Sequence, residues 1–180
     1  ANFKIRGYLQ NTAPDINTQP FVVGAPFNIT WSVTGPVTNV KLQYSVDGGV
    51  YQDIVGATNL PATPSSFSWT VPNNISSQVK IKIVDLNDPV DTTDESDIFT
   101  ITGKIDLTAP LGGETWYVGG SGYDIAWTKT GTIPTVKVEY SVSGGAYQVI
   151  QDADNLSTNS FRWVIPNDAL LSSQVKIRVS

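Results

Sequence analysis

The sequence predicts an all-β chain folded as two tandem antiparallel β-sandwiches. Three observations carry this reading. The chain repeats itself at a spacing of 96 residues, so that Trp31 falls on Trp127 and Tyr44 on Tyr140. Within each copy, apolar and polar residues alternate with the period of a half-buried strand. Turn-forming residues separate these short runs, and no segment shows a helical period.

The repeat is extensive. At the same offset Gly48-Gly49 aligns with Gly144-Gly145 and Lys80-Ile81 with Lys176-Ile177. A two-residue deletion in the loop near Thr63 moves Trp69 onto Trp163 and Pro72-Asn73 onto Pro166-Asn167. Ser76-Ser77-Gln78-Val79 then falls on Ser172-Ser173-Gln174-Val175, back in the original register. Such self-similarity is the mark of a tandem duplication. Phe3, Ile5 and Gly7 align with Phe99, Ile101 and Gly103, so residues 1–7 are equivalent to the last strand of a repeat. The counterpart of Asp85 to Gly103 is absent from the second copy. The expected organisation is therefore 1–7 as the last strand of a preceding or neighbouring repeat, 8–104 as the first repeat, and 105–180 as the second, lacking its final strand. The sequence reads as a window on a longer array.

The strands follow in order. Phe27, Ile29, Trp31 and Val33 alternate with Asn28, Thr30 and Ser32. Val40, Leu42, Tyr44 and Val46 alternate with Lys41, Gln43 and Ser45. Phe67, Trp69 and Val71 form a third inward set, Val79, Ile81 and Ile83 a fourth, and Ile98 to Thr102 a last strand. Gly35-Pro36, Asp47-Gly48-Gly49 and Pro72-Asn73-Asn74 mark the turns. Asp-Gly between two alternating runs signals a hairpin, because glycine accepts the positive φ of a tight primed turn. Six or seven short strands in about 96 residues point to a sandwich of immunoglobulin type. The expected core is Ile29, Trp31, Leu42, Tyr44, Trp69 and Ile81, with Ile125, Trp127, Val138, Tyr140, Trp163 and Ile177 in the second copy. Without cysteine, the tryptophans are expected to occupy the space of an inter-sheet disulfide.

Composition removes several function classes. The chain has 180 residues, a net charge of −5 and no His, Cys or Met. Lacking His and Cys, it has no imidazole or thiolate for nucleophilic catalysis, no soft metal ligand and no disulfide. The acidic balance (pI about 4.5) leaves no basic footprint for nucleic acid. No apolar run is long enough to span a bilayer as a helix. The absence of Met, with no signal peptide before Ala1, is read as a processed chain or an excerpt.

Several runs resemble a known family. They are Pro110-Leu-Gly-Gly-Glu-Thr-Trp-Tyr-Val-Gly119, Tyr123-Asp-Ile-Ala-Trp127, Val136-Lys-Val-Glu-Tyr-Ser141 with Gly144-Gly145, and Phe161-Arg-Trp-Val-Ile-Pro166. Val84-Asp-Leu-Asn-Asp-Pro-Val90 and Asp97-Ile-Phe-Thr-Ile101 match the closing segment. Together they resemble the Ig-like repeats of bacterial secreted and cell-surface proteins related to the Ser/Thr-rich, Knh-type domain of fungal, GPI-anchored cell-wall proteins. Pro20 departs from the pattern, standing where the second copy has Trp116. The resemblance implies extracellular, wall-associated tandem modules without catalysis, and it carries over no binding site.

Candidate chemistry is sparse. The acidic stretch Asp85 to Asp97 offers Asp85, Asp88, Asp91 and Asp94 as candidate calcium ligands, since Ca²⁺ takes six to eight oxygens. It lacks the glycine and terminal glutamate of an EF-hand loop, so the favoured reading is a solvated linker and no cofactor is assigned. Asp47, Asp53, Asp124, Glu139 and Asp152 form no pair that recurs between copies, which disfavours a glycosidase. Trp116, Tyr117, Tyr51 and Tyr147 are candidates for carbohydrate stacking, with packing as the favoured alternative. The sequons at Asn28, Asn74 and Asn155 are about as frequent as chance allows in so Asn-, Ser- and Thr-rich a chain.

The expected function is a non-catalytic structural repeat of a secreted or cell-surface protein, a spacer, stalk or fibre unit. The alternative is a carbohydrate-binding or adhesin module. The expected partners are neighbouring repeats or identical subunits joined head to tail, with cell-wall polysaccharide as a further candidate. Strand donation would use Phe3 and Ile5 on one side and Val175, Ile177 and Val179 on the other.

Overall fold

The computed structural model describes residues 2–15, 17, 20–167 and 171–180. The chain divides into two compact units, Ala1–Thr102 and Gly103–Ser180. Among the described residues there is no helix.

Unit 1 contains β1 (Tyr8–Ala13), β2 (Phe21–Val22), β3 (Pro26–Thr34), β4 (Asn39–Val46) and β5 (Gln52–Asp53). It continues with β6 (Leu60–Pro61), β7 (Ser66–Thr70), β8 (Ser76–Asp85), β9 (Thr93–Glu95) and β10 (Phe99–Thr102). One sheet has the order β1-β3-β7 and the other β2-β10-β8-β4-β5, with β6 on β4 and β9 on β8. All pairs are antiparallel except β2 with β10. This is the immunoglobulin-like arrangement of two facing sheets.

Unit 2 contains β11 (Lys104–Ala109), β12 (Tyr123–Thr130), β13 (Val138–Val142), β14 (Gln148–Val149), β15 (Ser160–Trp163) and β16 (Val175–Val179). Its sheets run β11-β12-β15 and β14-β13-β16. The registers repeat those of unit 1. Tyr44 faces Ile81 across β4 and β8, and Tyr140 faces Ile177 across β13 and β16. The turn chemistry repeats too. Asp47 (φ 53°) and Gly48 (φ 70°) close the β4–β5 hairpin, as Ser143 (φ 50°) and Gly144 (φ 76°) close β13–β14. Two consecutive positive φ values make the primed turn whose twist matches its strands.

The inward faces meet where alternation placed them. Ile29, Trp31, Leu42, Trp69 and Ile81 are buried in unit 1, and Ile125, Trp127, Val138 and Trp163 in unit 2. Tyr44, Tyr140 and Ile177 are only partly buried, a correction to the expected core. The two tyrosines keep their hydroxyls at the surface, facing Gln52 and Gln148, while Ile177 lacks a cover.

Two further observations concern the ends of the units. The second unit begins at Gly103 rather than 105, because the chain there is already packed: a Cβ on Gly103 would lie 2.8 Å from the Thr130 carbonyl and 2.7 Å from Ile133. Residues 2–7 are not a strand within unit 1. They run outside the sheets, with Phe3 and Ile5 exposed and Arg6 paired with Asp88 and Asp91. Ala1 lies outside the described residues.

Candidate functional site

The feature that separates the two units is the outer edge of β16. In unit 1 the equivalent strand, β8, is flanked along its length by a closing strand in two pieces. β9 pairs with residues 82–84 and β10 with Val79 and Ser76. β10 is covered in turn by β2. In unit 2 the described residues pair β16 with β13 alone. The consequence appears in matching side chains: Val79, Ile81 and Ile83 are 0%, 0% and 1% exposed, whereas Val175 is 45% exposed and Ile177 and Val179 only partly buried.

Beside that edge lies a cleft of about 980 Å³, with Leu107, Trp116, Tyr140, Trp163, Val175 and Ile177 among its lining. Leu171 and Val118 stand on its wall, 84% and 37% exposed. One rim is organised by Glu114, whose two carboxylate oxygens accept the Leu111 and Gly112 N–H groups at 2.8 Å each. These bonds hold its carboxyl below the ordinary range.

The departure at Pro20 and Trp116 now has a physical reason. In unit 1, Phe21 packs on Phe27 at 4.4 Å and on Phe99 at 5.1 Å, and Phe99 meets Trp69 edge-on at 6.4 Å. In unit 2, Trp116 stacks on Tyr123 at 4.7 Å and meets Trp163 edge-on at 6.2 Å. Its indole takes over contacts that Phe21 and Phe99 share in unit 1. It does not reach along β16, where Val175 stays open.

The four acidic calcium candidates do not converge. Asp85 is buried and accepts the Asn87 N–H at 2.9 Å. Asp88 faces Arg6 Nε at 3.3 Å and accepts the Thr92 hydroxyl at 3.1 Å. Asp91 pairs with Arg6 and Lys4. Asp94 accepts the Asn11 N–H at 2.8 Å. Among the described residues no three acidic side chains gather as a metal site. Part of this stretch is the strand β9 rather than a linker, and its carboxylates tie β1 and the lead-in segment to the closing strand. Alternation could not reveal this, because β9 carries no large apolar residue.

Asp47, Asp53, Asp124 and Glu139 also have separate partners. Asp53 meets Gln43 and Lys41, Asp124 meets Arg162, and Asp47 accepts the Ser76 hydroxyl. Glu139, which stands where unit 1 has Gln43, is buried. Arg178 reaches its Oε2 through Nε and Nη2 at 2.7 Å each, and Lys137 lies 3.2 Å from Oε1. Burial pushes this carboxyl up, but the hydrogen bonds and charges of Arg178 and Lys137 outweigh it and leave it below the ordinary carboxylate range. A lowered folded value means that the pair stabilises unit 2 above the unfolded value of about 4.3 and loses that contribution as pH falls below it. Glu139→Gln should therefore flatten the acid limb of the unit 2 melting temperature, measured by calorimetry below about pH 4.3. An acid limb identical in the variant would show that the pair adds nothing.

The stacking candidates divide. Tyr51 lies under Lys82 Nζ, 5.2 Å from the ring centroid, and Tyr147 under the Arg178 guanidinium at 4.1 Å. These equivalent cation–π contacts occupy one face of each ring. Trp116 packs into the core of unit 2 as described, and Tyr117 alone is largely exposed, at 69%.

No family model matches the chain, and no curated protein does so. Among solved structures it is similar to the fibronectin(III)-like modules of Clostridium thermocellum CbhA, at 17% identity and a TM-score of 0.32, over 87% of this chain and 78% of that one. The immunoglobulin-like fold is read from the strand order of the chain itself.

Proposed function

We propose that this chain is a non-catalytic structural building block of a secreted or cell-surface array, a spacer or stalk made of tandem sandwiches. The observation that carries the reading is the repetition itself. Two units share strand registers, hairpin turns and core tryptophans, while the carboxylates that differ between them serve local ion pairs and loop bonds. Selection on such a chain acts on stacking one stable module after another. The resemblance to Knh-type and bacterial surface repeats supports an extracellular placement, and the acidic surface suits a solvated exterior.

The test is retention on insoluble polysaccharides, including cellulose, chitin and peptidoglycan. A spacer stays in the supernatant with all of them. Retention that Tyr117→Ala or Tyr147→Ala abolishes would replace this reading with a carbohydrate-binding one.

A further inference from the structure

We propose that β7 of unit 1 is a self-association edge, at which two copies of this chain pair antiparallel about a two-fold axis through Ser68. Their three-stranded sheets then join into one sheet of six. The partner is a second copy, and the inference goes beyond the spacer reading without resting on it.

The observation is a difference between the units at equivalent places. On its outer sheet face, unit 2 sets Lys104 beside Asp106 at 2.8 Å and Arg162 beside Asp124 at 3.0 Å. In unit 1 the positions aligned with these four hold Tyr8, Gln10, Ser68 and Asn28. Both ion pairs are gone. The backbone beneath is the same, since Asn28 lies opposite Ser68 across β3 and β7 as Asp124 lies opposite Arg162 across β12 and β15. The outermost strand therefore carries an arginine in unit 2, whereas β7, Ser66-Phe-Ser-Trp-Thr70, has neither charge nor proline.

Sheet edges are ordinarily blunted by charge, proline or brevity, because unpaired N–H and C=O groups invite another strand. Other edges of unit 1 obey this. β2 and β5 are two residues long, and on β1 the Asn11 N–H is taken by Asp94 Oδ2 at 2.8 Å. β7 has five residues and, among the described residues, pairs with β3 alone. Its hydrogen-bond phase shows which groups are left outward. Trp31 N–H donates to the Ser65 carbonyl, and Val71 N–H to the Ala25 carbonyl. Antiparallel bonding alternates along a strand, so Phe67 and Trp69 also turn their main-chain groups to β3, while those of Ser68 and Thr70 point away. The Ser66 N–H turns back to the Pro64 carbonyl at 2.9 Å, leaving its own carbonyl outward. The outward groups are thus centred on Ser68.

That symmetry sets the register. Ser68 faces Ser68 of the second copy, and the two exchange both N–H···O bonds. The Ser66 carbonyl of each copy accepts the Thr70 N–H of the other. On the solvent face only Ser and Thr side chains meet, a favourable cross-strand combination. On the inward face Phe67 comes opposite Trp69 of the second copy, at the closer spacing of a non-hydrogen-bonded pair. Main-chain bonds supply the affinity, as in other strand additions to an open edge. The patch is the same on both copies, so the contact is isologous and closes at the dimer. In unit 2 the same operation would place Arg162 directly opposite Arg162, a like-charge pair that keeps that edge single. A single short strand buries less than the roughly 1,200 Å² of a standard interface, so the dimer is weak and forms at high concentration.

The experiment uses the 180-residue chain in light scattering and sedimentation from micromolar to near-millimolar concentration. Its mass should climb from 19.4 kDa toward twice that value and stop there. Ser68→Arg installs the residue that unit 2 carries at the equivalent position, so its melting curve should match the wild type while its mass stays at 19.4 kDa. Register is read with cysteine, which the chain lacks. Ser68→Cys should cross-link into a covalent dimer on mild oxidation, because a directly opposed hydrogen-bonded pair has its Cα atoms about 5.5 Å apart, within disulfide range. Asn28→Cys, exposed one strand further in, should not. A wild-type chain that stays monomeric throughout overturns the proposal. So does association that survives Ser68→Arg, or cross-linking no faster at position 68 than at 28. Retention on polysaccharide would sink the spacer reading while leaving these outcomes untouched, so the two failures are separable.

Discussion

Replacing Trp31 or Trp127 by Ala should destabilise the respective unit by about 3–5 kcal/mol, a large share of the roughly 5–15 kcal/mol that holds a domain together. Both indoles are buried at the centre of a strand, Trp31 on β3 and Trp127 on β12, at 4% and 2% exposure. The sharper expectation concerns Trp→Phe, because the two indoles differ in one hydrogen bond. Trp31 Nε1–H donates to the Ala62 carbonyl at 3.1 Å. Trp127 Nε1–H is buried and finds no acceptor among the described residues. The two-residue deletion explains the difference. The backbone bond from Trp31 N to Ser65 O has its equivalent from Trp127 N to Asn159 O, so the loop returns to the same place. The shortened loop, Ser157 to Ser160 where unit 1 has Pro61 to Ser66, no longer places a carbonyl at the Ala62 position.

Trp31→Phe therefore loses volume and a hydrogen bond of about 0.5–1.5 kcal/mol net, whereas Trp127→Phe removes a donor whose burial already costs about 1–3 kcal/mol. Denaturant unfolding of each variant should show the Trp127→Phe loss smaller by roughly 1–2 kcal/mol. Equal losses would mean that the orphaned N–H carries no cost.

Period-two alternation was enough to locate the long strands and most of the core, because each of those strands buries one face only. Short elements escaped it. β2, β5 and β6 have two residues each, too few to show a period, and β9 is polar. They are held by register with a longer neighbour, which is a property of the sheet and not of their own sequence. The tryptophan at position 116 signalled a departure from the repeat, but its direction depends on the ring of Tyr123, seven positions on. The acidic stretch misled for a related reason. Charge density suggested either a cation or solvent, whereas its carboxylates bond Arg6, Asn11, Asn87 and Thr92, the first two of them some eighty residues away in sequence.

The energetic weight of the closing strand can be measured in unit 1. Phe99→Ala should cost unit 1 about 3–5 kcal/mol. Phe99 is 1% exposed and packs edge-on against both Phe21 and Trp69, so truncation removes its own burial and strips cover from two further aromatic rings. Its Cα partner Val79 would lose the side chain that now shields it, and the β8 edge of unit 1 would come to resemble the β16 edge of unit 2. For a domain of this size each kcal/mol moves the melting temperature by about 4–8 °C, so the shift should exceed roughly 12 °C. Calorimetry of the intact chain reads it directly, since the unit 2 transition should stay where it was and serve as the internal reference. The wild-type chain should melt in the order unit 2, then unit 1, and Phe99→Ala should narrow or invert that gap. A loss in unit 1 below about 1 kcal/mol would show that the closing strand is peripheral to the sandwich, for a buried Phe that costs so little has not been holding a core.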